Sequence, residues 1–209
     1  MKTNIKIAIF GMIAVIVAIA VVAGILGKPV QVVIDPGHGG KDVGAVYGER
    51  YEKDDNLTLA LLVNEKLGEM GIETAMTRNK DKQVSLENRC KLANLKNADL
   101  FVSLHRNSAE GAKGVEIWIS NDSSNEDRSL AENILKALEK SEISQNRGVK
   151  SGYARGDGDY YVNSHTDMPS CLVELGFINS EIDNNLFDEN IEAYAQAIAD
   201  AIAKSLPEE

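Results

Sequence analysis

From residue 29 onward the chain alternates short aliphatic runs with longer stretches whose apolar residues recur every three or four positions. Val30 to Ile34 reads as a buried strand, closed by Asp35-Pro36-Gly37. Asn56 to Met70 reads as a helix with Leu57, Ala60, Leu61, Asn64 and Leu67 near one face, and Gly71 stops it. The same reading predicts strands at Ile72–Thr77, Leu100–Leu104, Val115–Ser120, Val149–Tyr153 and Cys171–Leu175. Helices are predicted at Val84–Leu95, from about Ser129 to Lys140 and from about Ile191 to Leu206. Strands and helices alternating in this way predict an α/β fold: a mostly parallel central sheet with helices on both faces.

The first 28 residues follow a different pattern. Ile7 to Gly27 carries no charged residue, Lys2 and Lys6 precede it, and Lys28 and Pro29 follow. A run of roughly 20 apolar residues suits a bilayer-spanning helix, and the basic flank keeps its first end cytoplasmic. The expectation is therefore a transmembrane signal-anchor at residues 1–28 that holds a folded domain, residues 29–209, on the extracytoplasmic side of the membrane. Ala18-Ile19-Ala20 also fits a signal-peptide cleavage site, which would release the domain instead.

Composition narrows the partners. Acidic residues outnumber basic ones, 32 to 22, which argues against a nucleic-acid ligand because phosphates require a basic face. Cys90 and Cys171 lack the close spacing of a zinc-thiolate site and read as apolar packing.

In open α/β sheets, sites collect at the carboxyl ends of strands. His38 follows the first predicted strand, His105 follows the one at Leu100–Leu104, and Glu174 lies inside the last. A lone histidine is more often structural than a ligand, but two at strand ends near carboxylates form a plausible His/His/carboxylate zinc set with one open position. A carboxylate within an apolar strand is costly to bury unless paired, so Glu174 invites a functional reading by itself. Glu52 does not: beside Lys53, Asp54 and Asp55 it reads as solvated surface charge.

Six segments in order change that picture. Asp35-Pro36-Gly37-His38-Gly39-Gly40, Glu52-Lys53, Met76-Thr77-Arg78, Ser103-Leu104-His105-Arg106-Asn107, Gly114-Val115-Glu116 and Pro169 through Phe177 closely resemble the zinc-dependent N-acetylmuramoyl-L-alanine amidases, cell-wall hydrolases of amidase type 3. The resemblance runs from about Val30 to the C-terminus. It implies a zinc amidase fold, Zn2+ held by His38, Glu52 and His105, and Glu174 as the catalytic acid-base. The implied reaction cleaves the amide between N-acetylmuramic acid and the stem-peptide L-alanine of peptidoglycan. Asp35 would orient His38 or cap the turn, and Asn107 would meet substrate. Arg78 and Arg89 read as structural. Arg106 departs from the small residue usual after the histidine; it could point away from the metal or meet an acidic stem peptide. His165 reads as a surface-loop residue. Two other functions fit the residues less well: a silent wall-binding or regulatory module, and a zinc peptidase acting within the stem.

Overall fold

A computed structural model describes residues 29–207. Its central sheet has six strands in the order β4-β1-β5-β8-β6-β7. These are β1 (Val32–Pro36), β4 (Thr74–Met76), β5 (Leu100–Asn107), β6 (Val115–Ile119), β7 (Asn146–Ser151) and β8 (Ser170–Phe177). Every neighbouring pair is parallel except β6 with β8, which is antiparallel. A small hairpin, β2 (Val46–Tyr47) with β3 (Arg50–Tyr51), lies outside the sheet. The helices are α1 (Glu52–Glu69), α2 (Leu86–Lys96), α3 (Asn125–Glu139), α4 (Tyr161–Ser164) and α5 (Glu181–Ser205).

Side chains alternate across a strand, so each strand feeds two cores. Val32, Ile34, Val102, Leu104, Ile117 and Val173 pack on one face with Leu59, Val63 and Leu67 of α1, Leu130 and Ile134 of α3, and Phe187, Ile198 and Ile202 of α5. Val33, Phe101, Trp118 and Leu172 face the other way, onto Cys90 and Ala93 of α2 and Val162 of α4. The second layer is thinner. Its residues in β5, β6 and β8 continue into His105, Glu116 and Glu174, so polar chemistry emerges on the face that the helices cover least. Cys90 and Cys171 are free thiols in different cores, on opposite sides of the sheet.

The expected fold class needs correction in its membrane element. Among the described residues no helix is long and apolar enough to cross a membrane, and the run at 7–27 that prompted the expectation lies outside them. The fold is a mixed α/β domain with a central sheet and helices on both faces.

Several boundaries also moved, two of them at helix starts that bear on the site and the core. Helix α1 starts at Glu52 rather than Asn56, because Glu52, Asp54 and Asp55 occupy its first turn, where the helix dipole favours negative charge. Helix α5 starts at Glu181, ten residues before the predicted Ile191. Ser180 caps it by accepting from the Asp183 backbone N–H, and that polar opening masks the helical period.

Candidate active site

The carboxyl ends of β1, β5 and β8 open into a cavity of about 890 Å³ whose lining includes His38, Glu52, His105 and Glu174. The loop after β1 carries His38 in a left-handed conformation, φ 60°. Glu52 arrives differently, at the first residue of α1 directly after the β2–β3 hairpin. His105 comes from β5 and Glu174 from β8, and these two are cross-strand partners. Glu116 of β6 pairs with Glu174 from the opposite side. Paired positions on neighbouring strands point to one face, so His105, Glu174 and Glu116 form a row.

His38, Glu52 and His105 each offer an atom to a group within 4.8 Å. Glu52 Oε1 accepts from His105 Nδ1 at 2.8 Å and lies 3.2 Å from His38 Nε2. Two ligands on one tetrahedral zinc, at bonds of about 2.0–2.1 Å, sit roughly 3.3 Å apart, so this spacing and donor set fit that ion. The two imidazole rings meet edge to face, with centroids 5.0 Å apart. His38 Nδ1 lies 2.9 Å from Asp42 Oδ1, and in the neutral tautomer that donates there Nε2 would be free to bind a metal. Burial alone would raise the Glu52 carboxyl, but the hydrogen bonds from both histidines outweigh it and hold the group well below the usual carboxylate range. Glu52 Oε2 accepts the Ala45 backbone N–H at 2.8 Å, locking the carboxylate to the loop.

Glu174 has the opposite electrostatics. Burial pushes its carboxyl well up, the neighbouring Glu52 and Glu116 carboxylates push further, and Arg155 and Arg106 oppose them. Its Oε2 has no hydrogen-bond partner among the described residues although it is buried. An orphan buried oxygen of this kind calls for a water or a ligand. Glu116 is satisfied instead, by Arg147 at 2.7 Å, Lys150 at 2.5 Å, Asn107 at 2.8 Å and Trp118 Nε1 at 3.1 Å.

The loop that carries His38 is held by two arginines. Arg89 donates to Asp35 Oδ1 at 2.6 Å, Pro36 O at 2.7 Å and His38 O at 2.7 Å. Arg78 reaches Pro36 O at 3.0 Å, Gly37 O at 2.8 Å and Lys53 O at 2.8 Å, joining the loop to the first turn of α1. Gly37 permits the closest approach: a Cβ there would stand 2.2 Å from the His105 ring.

The structure sorts the remaining candidates. Asp35 does not touch His38; it binds Arg89, Thr77 and Ser103, so it anchors the loop, while Asp42 orients the imidazole. Asp42 gave no signal in the sequence beyond its place four residues after His38. Arg106 turns to the opposite face from His105, 1 % exposed, bonded to Asp55 at 2.6 Å and Asn184 at 2.7 Å and stacked over Phe187. It braces α1 against α5. Asn107 holds Glu116. His165 is exposed and stacked on Tyr161, outside the cavity lining.

The chain is also similar to known proteins. The chain is 40% identical over 182 residues to the uncharacterized protein YqiI of Bacillus subtilis, covering 86% of this chain and 84% of that one. It is 33% identical to the probable cell wall amidase LytH of Staphylococcus epidermidis, covering 84% of this chain but only 58% of that protein's length. The structure of the N-acetylmuramoyl-L-alanine amidase AmiC2 of Nostoc punctiforme superposes with a TM-score of 0.75 at 35% identity, over 85% of this chain and 97% of that one. The sequence signature described as N-acetylmuramoyl-L-alanine amidase matches residues 32–206, nearly all that the structure describes, and the chain therefore belongs to the N-acetylmuramoyl-L-alanine amidase family, hydrolases of the cell wall.

Proposed function

We propose that this domain cleaves the amide between the lactyl group of N-acetylmuramic acid and the stem L-alanine, with Zn2+ held by His38, Glu52 and His105 and with Glu174 moving the protons. The convergence of those three donors beside the unpartnered Glu174 oxygen supports this reading most directly. Bound zinc would bring the pKa of a water toward neutrality and polarise the scissile carbonyl.

The chain's own residues do the rest. Asp42 holds the His38 tautomer, and Ala45 N–H holds Glu52 in place. Glu174 takes the proton of the attacking water and delivers it to the departing L-alanine nitrogen, which leaves as an amine rather than as an unstable anion. Burial and the neighbouring carboxylates raise this carboxyl, which makes it a better proton carrier than an exposed glutamate. The cell wall is the place where this substrate occurs, as the name of the staphylococcal relative indicates for that protein.

The purified chain, incubated with peptidoglycan, should release stem peptides that begin with L-alanine. Both a chelator and Glu174→Gln should abolish release, the variant while retaining its zinc. Peptides cut internally would identify a stem peptidase instead. Normal zinc content without cleavage would identify a wall-binding module.

A further inference from the structure

Within residues 152–161, Tyr153, Ala154, Arg155, Asp159, Tyr160 and Tyr161 line the cavity, and the reaction proposed above gives them no part. Tyr153 bridges to Gly156 in antiparallel fashion, which puts Ala154 and Arg155 at the tip of a tight turn. The turn is tied down at both ends. Gly152 N–H donates to Ile119 O at 3.0 Å, and the Asn121 side chain donates to Gly158 O at 2.9 Å. Asp159 accepts from Asn121 N–H at 2.7 Å and from Ser120 Oγ at 3.1 Å. Tyr153 then packs edge-on against Tyr160, and Tyr160 against Trp118.

This turn presents a cation. Arg155 is exposed and lines the same cavity as Glu174. Among the described residues it makes no ion pair, whereas the other arginines of the lining are committed: Arg89 to Asp35 and Arg106 to Asp55. Asp159, near it in sequence, spends both carboxylate oxygens on the neighbouring loop. In a chain of net charge -10, a guanidinium left without a partner over a cleft is poised for an incoming anion. Its charge already reaches Glu174, where it opposes the upward push of burial.

The substrate supplies an anion close to the scissile bond. In the stem peptide a glutamate follows L-alanine and is joined onward through its γ-carboxyl, so its α-carboxylate is the anionic group nearest the scissile amide. Two residue lengths of extended chain reach about 7 Å, and Arg155 lines the same cavity as His38, Glu52 and His105. A guanidinium binds a carboxylate through two parallel charge-assisted hydrogen bonds and gains no such pair from a neutral carboxamide.

We propose that Arg155 binds the free α-carboxylate of the second stem residue and makes the enzyme selective for stems in which that group is not amidated. The inference rests on the amidase reading. It is tested with the full chain on two disaccharide-peptide substrates that differ only in a carboxylate or a carboxamide at that position. Wild type should favour the carboxylate by about five- to tenfold in kcat/KM, carried by KM. Arg155→Ala should lose the preference by falling on the carboxylate substrate alone, Arg155→Lys should keep part of it, and Arg155→Glu should reverse it. Equal rates in wild type, or an undiminished preference in Arg155→Ala, would overturn the assignment while leaving the amidase reading intact. Failure of wild type to cleave either substrate at the lactyl amide would remove both.

Discussion

The two walls of the cavity are built on different principles. The histidine wall, residues 36–45, is clamped from several sides: the buried Arg78 and Arg89 donate to its carbonyls, Asp42 pairs with His38, and Lys53 reaches Gly40 O at 3.1 Å and Asp81 at 2.7 Å. The other wall, 152–161, is exposed over most of its length and is tied down by a few hydrogen bonds at its base. The contrast fits the roles proposed for each. Metal ligands must hold their positions to a fraction of an ångström, and a misplacement of 1 Å costs orders of magnitude. A wall that receives a variable polymer only has to offer area and charge.

Breaking the clamp should therefore do far more harm than altering the turn. Gly37→Ala places a methyl where the His105 ring stands, so zinc affinity measured by chelator competition should fall by more than about 100-fold with the circular dichroism spectrum unchanged. Arg89→Ala leaves Asp35 buried without its cation and frees two loop carbonyls; it should weaken zinc by about 10- to 100-fold and destabilise the domain by roughly 3–5 kcal/mol in urea. If Arg89→Ala binds zinc normally, the clamp is not what sets ligand geometry.

A smaller effect separates the row on the sheet from both walls. The Glu174 carboxyl binds its proton more tightly in the folded chain than in the unfolded one, where its value is near 4.5. Its contribution to stability is thus complete below that pH and is lost as pH rises. In chelator-treated protein, Glu174→Gln should match wild type at pH 4 and melt about 2–4 °C higher at pH 8. A variant that melts lower at pH 8 would show that the carboxyl is not held neutral by its surroundings. Smallest of all, Asp157→Asn, on the exposed turn, should leave activity within about twofold.

The strand and helix alternation, and the placing of His38 after one strand, His105 toward the end of another and Glu174 within a third, could be read from hydrophobic period alone. Glu52 could not, except through family resemblance. It reaches the site because a two-residue hairpin of exposed side chains folds back and starts a helix there, and no periodicity marks so short a pair. Glu116 was visible in a motif but had no role until register placed it beside Glu174. Arg78, Arg89 and Asp42 act through carbonyls and imidazole atoms brought near by the fold, information that pattern does not carry. Arg106 is the instructive case: a cation next to a metal ligand looks functional in one dimension, yet alternation along β5 sends it to the opposite core.

The strand order β1-β5-β8 has a consequence for how the protein is made. Those parallel neighbours come from distant parts of the chain, so no local segment can assemble the His38, Glu52 and His105 group before the sheet has closed. A metal ion would then meet a finished domain and would stabilise it by mass action, so thermal resistance should climb with the logarithm of free zinc concentration. Availability of the ion outside the cell would set not only how fast such an enzyme works but how long each copy lasts.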